Sequence, residues 1–80
     1  MAEGEFLLTW DMLSRSRVIA KGNRIRDVER LVHTYGGLRS RWLKKSSPPF
    51  EQNGMIYEYH WYEHHGIGRV EIRRKELGQS

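Results

Sequence analysis

The sequence predicts an α+β fold: two to three helices packed on a small antiparallel sheet built around a C-terminal β-hairpin. Three observations carry this expectation. Residues 54–77, GMIYEYHWYEHHGIGRVEIRRKEL, alternate with period two and are rich in aromatic and β-branched side chains. Ile25, Val28, Leu31, Val32 and Tyr35 recur at helical spacing on one stripe. The length of 80 residues, 38% hydrophobic and 11% aromatic, suffices for one small core and leaves no room for a second. The expected organisation is a single domain over 1–80, with a lead segment over 1–22, a helical part over 23–45 and the hairpin over 54–77.

The lead segment supports two local readings. Thr9 can cap a helix beginning at Trp10, with Asp11 in its first turn. Alternatively, Phe6, Leu8 and Trp10 alternate as the inward face of a short strand. We expect a short strand or extended lead followed by a helix. RVIAKG then runs into a Gly-Asn turn, and Asn23 is a good N-cap for the clear helix that follows. Gly36 and Gly37 stop that helix. On its far side Asp27 lies three residues from both Arg24 and Arg30, so surface ion pairs account for these charges. Leu38 to Lys45 reads as a second short helix: Leu38 and Trp42 are one turn apart, and Lys44 and Lys45 suit the helix C-terminus. Ser46-Ser47-Pro48-Pro49 ends it, because proline lacks an N–H and restrains its predecessor. Phe50 to Asn53 is expected as a loop leading to the hairpin.

Complementarity suggests the hairpin register. With Gly66 in the turn and Glu63 opposite Gly68, Trp61 meets Val70 and Tyr59 meets Ile72 on a face turned to the helices. On the other face Tyr62 meets Arg69, His60 meets Glu71, and Glu58 meets Arg73. That polar face is read either as a solvated sheet surface with cross-strand charge pairs or as a surface that carries chemistry.

In the chemical reading His60 is the general acid or base near neutral pH, oriented by Glu71. Arg69 or Arg73 stabilises charge developing on a phosphate, and Tyr62 stacks on a base or supplies a hydroxyl. Lys44, Lys45, Arg41 and Arg74 are candidate phosphate contacts. A net charge of +4 favours RNA or another polyanion as partner. Attack of a ribose 2′-hydroxyl on its own phosphate needs these functions and no metal or other cofactor. His60-Trp61-Tyr62-Glu63-His64 does match H-x-x-E-H, a zinc motif. That motif requires a helix; on a strand, residues four apart lie ~13 Å from each other. We therefore expect no metal site.

Without cysteine there is no disulfide or thiolate chemistry. Gly66-Ile67-Gly68 lacks the length and the following helix of a nucleotide fingerprint, and no nucleophilic-serine elbow is present. No stretch is apolar enough to span a membrane, and MAEGEFLLTW lacks the basic and apolar regions of a secretory signal. The expected location is the cytoplasm, or a target cell's cytoplasm after delivery within a larger protein. The alternative to an enzyme is a non-catalytic module that binds nucleic acid or protein.

GNRIRDVERLVHTYGG, then RWLKKSS, then YHWYEHHGIGRVEIRRK resemble small C-terminal effector modules of bacterial polymorphic toxins and related phage-associated proteins. The resemblance covers roughly two thirds of the chain, by pattern and order. It implies a toxin-type domain, often a nuclease acting on RNA and neutralised by a cognate immunity protein, here expected to be acidic. It also implies that His60, Trp61, Tyr62, Glu63, Arg69, Glu71, Lys44 and Ser46 are signature positions.

Overall fold

A computed structural model describes residues 8–80. The described residues are built on a five-stranded antiparallel sheet, and 48% of them are strand. This corrects the expectation of two to three helices packed on a small sheet. A five-residue helix, α1 (Trp10–Ser14), leads into β1 (Arg17–Lys21). A short 3₁₀ turn and the two-turn helix α2 (Val28–Tyr35) follow. A second 3₁₀ turn, Arg39–Arg41, leads into β2 (Trp42–Ser46), β3 (Phe50–Gln52), β4 (Met55–His64) and β5 (Gly68–Gln79).

Thr9 caps α1 as expected, accepting the Met12 N–H at 3.1 Å. Among the described residues α1 is followed by β1, and the strand or extended lead expected before the helix falls on residues 1–7, outside the described ones. The alternative inward strand began at Phe6, which lies outside the described residues. Asn23 sits in the first 3₁₀ turn, and α2 starts later, after Asp27. Gly36, at φ 90°, ends it.

The segment expected as a second helix is β2. Trp42 and Ser46, at its two ends, are buried and the three residues between them are partly covered. The pairs Trp42↔His64, Lys44↔Tyr62 and Ser46↔His60 show what decided this: the edge of β4 was a template for a strand. β5 pairs along the whole length of β4, so β2 and β3 share the other edge end to end. The Ser-Pro-Pro step joins them. There the Ser47 N–H donates to the Tyr59 carbonyl, and the Ser47 hydroxyl accepts the Tyr59 N–H, both at 2.9 Å. The segment expected as a loop is β3 plus a two-residue turn, Asn53-Gly54, with φ 53° and 81°. Positive φ at both central residues is the turn that matches strand twist, and Asn-Gly is its strongest sequence signal.

The expected hairpin register is also corrected. His64 opposes Gly68, Glu63 opposes Arg69 and Tyr62 opposes Val70. Beyond that point β5 carries one extra residue, and His60 opposes Arg73. The bulge centres on Glu71, whose φ of 55° is in the left-handed region. Arg30 donates to both Glu71 carboxylate oxygens at 2.8 Å, and the Tyr35 hydroxyl donates at 2.8 Å. This grip ties α2 to the bulge and holds a conformation that costs a side-chain residue ~1–2 kcal/mol. Glu71→Ala loses the grip and keeps the strain; Glu71→Gly loses the grip and relieves it. Both are expected to destabilise. Glycine is nevertheless expected to be the more stable of the two by about 0.5–1 kcal/mol, against the usual order in a strand. Urea unfolding checks this, and alanine equal to or above glycine would show the bulge relaxed in solution.

Both sides of the sheet bury side chains. α2 packs Ile25, Val28 and Leu31 against Trp42 and Tyr62, with Ala20, Val32 and Val70 at the margin. On the other side Tyr59 and Trp61 are each 1% exposed, and Phe50 stacks on Tyr59 with centroids 4.9 Å apart. The helix therefore sits on the Tyr62 side, the reverse of the expected arrangement. It covers only the His64 end of that side. The other end, around His60, stays open. Among the described residues no helix is long and apolar enough to cross a membrane.

Candidate nucleic-acid interface

The open end of the α2 side is where the chain gathers reactive groups. Glu58 and His60 are next but one on β4, so they share a face at a spacing their side chains can bridge. His60 Nε2 lies 3.0 Å from Glu58 Oε1. Ser46, opposite His60 on β2 and fully buried, has its hydroxyl 3.1 Å from the same oxygen and 2.9 Å from the Ser47 carbonyl. Its single proton is shared between them. Arg17, opposite Ser46 on β1, reaches Glu58 Oε2 at 3.3 Å. Glu58 is only 8% exposed. Burial works to raise its pKa, but the bonds from His60, Ser46 and Arg17 outweigh it and hold the carboxyl below the usual range.

Beside this group lies a cleft of about 310 Å³ lined by Lys44, His60, Arg73, Arg74 and Lys75. Lys44 comes from β2, and its ammonium is 5.9 Å from the Tyr62 ring centre. Arg73 and Lys75 oppose His60 and Glu58 on β5. The result is one imidazole, one buried carboxylate behind it, and cations on both flanking strands. Such a cleft attracts phosphate, and its partly excluded water strengthens the attraction.

The residues expected from sequence divide between this cleft and other places. His60, Arg73, Lys44 and Arg74 line it. Arg74 also lies 4.3 Å over the Tyr57 ring and donates to Gln52 at 2.9 Å. Glu71 does not orient His60, because the bulge sends it to Arg30 and Tyr35. The Arg30 hydrogen bond, against opposing burial, holds Glu71 below the usual carboxylate range. Arg69 and Lys45 lie on the Trp61 side, where both approach Glu63, at 3.7 Å and 3.3 Å. The Trp61 indole donates to the same carboxylate at 3.0 Å. Tyr62 is a core residue, 4% exposed, with its hydroxyl donating to Asp27 at 3.3 Å, so it presents no face for a base to stack on. Arg41 is exposed on the turn before β2 and does not line the cleft.

Sequence reasoning gave no role to Arg17 or Lys75, and it paired Glu58 with Arg73. The i, i+2 spacing of Glu58 and His60 on a strand was the available signal, since same-face neighbours on one strand need no register to meet. Ser46 entered only as a signature position implied by the resemblance. The H-x-x-E-H segment lies wholly in β4: His60 faces the cleft with Glu58, whereas His64 packs edge-on to Trp42, centroids 5.2 Å apart. Among the described residues no three His, Cys, Asp or Glu side chains group as metal ligands would.

Compared with known proteins, the chain matches no family model, no curated protein and no solved structure.

Proposed function

We propose that the chain is a small basic module that binds RNA in the cleft beside His60 and cleaves it without a metal ion. The observation that carries this reading is the placement of a carboxylate-backed imidazole at the wall of a cleft lined by Lys44, Arg73, Arg74 and Lys75. In the reaction the 2′-oxygen attacks the adjacent phosphorus and its proton passes to His60. The P–O5′ bond breaks, the 5′-oxygen takes a proton from solvent, and a 2′,3′-cyclic phosphate and a 5′-hydroxyl remain. Lys44 and Arg73 stabilise the charge that builds on the phosphate oxygens. In this reading the chain is a toxin-type ribonuclease, and an acidic immunity protein would cover the same cations.

A second reading, RNA binding without cleavage, is favoured by one observation: Ser46 and Glu58 are buried, as members of a network that holds strands together would be. One experiment separates the two. RNA is incubated with the protein and a chelator, beside His60→Ala, and affinity is measured on both. The expected result is cleavage slowed about 10²-fold or more by the substitution, with affinity little changed. DNA of the same sequence is expected to bind and stay intact. Cleavage absent from both samples removes the enzyme reading and leaves the binding one.

A further inference from the structure

We infer that Nδ1 is the nitrogen of His60 that moves protons in this cleft, and that Glu58 is the residue that positions it. The catalytic consequence rests on the ribonuclease reading; the proton arrangement does not. An ionised carboxylate can only accept hydrogen bonds. Glu58 is ionised near neutral pH, being buried among three donors, and its Oε1 is 3.0 Å from His60 Nε2. Nε2 must therefore carry the proton, and a neutral ring has its lone pair on Nδ1. Nδ1 makes no hydrogen bond to the described residues and is not among the buried unpartnered atoms, and the ring, 14% exposed, lines the cleft. Base chemistry then begins with Nδ1 accepting a hydroxyl proton. The resulting imidazolium donates from Nε2 to Glu58, which stabilises it, and later releases the Nδ1 proton to water. Ser46 and Arg17 hold the carboxylate still, with a bond to each of its oxygens. Glu71, the partner that strand complementarity suggested, has no part in this.

The test is two-bond ¹H–¹⁵N correlation of the His60 ring in labelled full-length protein, above the pH at which the ring is charged. The expected spectrum shows Nε2 protonated, Nδ1 bare, and an Nε2–H resonance slow to exchange with water. That slow exchange is lost in Glu58→Ala and kept in Glu71→Ala. Glu58→Gln preserves the shape of the site, so it serves if the alanine variant fails to fold; it is expected to speed the exchange. A protonated Nδ1 in the neutral wild-type ring overturns the inference, as does Nε2–H exchange indifferent to Glu58. RNA cleavage is expected to fall about 10²-fold in Glu58→Ala. The expected spectrum with no cleavage by the wild type supports the proton arrangement and overturns the ribonuclease reading alone. Cleavage with Nδ1 protonated does the reverse.

Discussion

Trp42→Ala is expected to cost about 3–5 kcal/mol, the usual penalty for emptying a large aromatic site. The indole is fully buried. It touches Tyr35 and His64 with centroids 5.9 Å and 5.2 Å away, and it joins Ile25, Val28, Leu31 and Tyr62 in one cluster. Its Nε1 donates to the Gly36 carbonyl at 3.0 Å, at the point where α2 ends. One side chain thus fills the space between helix and sheet and also anchors the end of the helix. Domains of this size have only ~5–15 kcal/mol in total, so the variant is expected to be largely unfolded at modest urea. Trp42→Phe keeps much of the ring, loses the indole donor, and is expected to fall between. Circular dichroism across a urea series measures both. A wild-type midpoint for the alanine variant would mean that α2 does not dock on this sheet.

Gly37→Ala comes next, at about 2–4 kcal/mol, from two costs of different origin. Gly37 has φ 81°, a conformation that strains any other residue. A methyl there would also lie 2.5 Å from His64 Nε2 and 3.1 Å from Ile67 Cδ1. The imidazole has nowhere to retreat, because its Nδ1 accepts the Gly66 N–H at 3.1 Å and its edge meets Trp42. Overpacking against a fixed ring adds ~1–3 kcal/mol to the backbone strain. The two parts separate in a double mutant: His64→Ala in the Gly37→Ala chain is expected to remove the steric part and leave the strain. Strictly additive losses would place the ring elsewhere in solution.

Some of this was legible in sequence. The period-two run of Met55 to His64 is a strand, the helical stripe from Val28 to Tyr35 buries a face, and Gly36 and Gly37 do stop the helix. The β2 strand was not legible: Leu38 and Trp42 fit a helix turn by spacing, and nothing local reveals the β4 edge that recruited Trp42–Ser46. Asn53-Gly54 was legible and was passed over, because the Ser-Pro-Pro break drew Phe50 to Gln52 into the loop. The hairpin register went wrong for a physical reason. Opposite charges lie close enough together along β4 and β5 that a register one residue off also pairs them, and an extra residue in a bulge leaves no mark on composition. Burying side chains on both sides of the sheet also removes the inside–outside contrast on which alternation relies. Hence Arg69 was placed on a face it does not share with the cleft, while Glu71 and Tyr62 do lie on the cleft's side but meet Arg30, Tyr35 and Asp27 instead of His60 or a ligand.

The extra residue at Glu71 acts as a parity switch for everything after it. Strict alternation from Val70 would turn Ile72, Arg74 and Glu76 toward His60. The bulge instead brings Arg73 and Lys75 opposite His60 and Glu58. It leaves Ile72 beside Leu8 and Leu13, and Arg74 over Tyr57. The sign of the cleft is thus set by a count of residues rather than by the residues themselves. With the same residues and no bulge, Ile72 and Arg74 would stand opposite His60 and Glu58, trading two directly opposed cations for one cation and one apolar side chain.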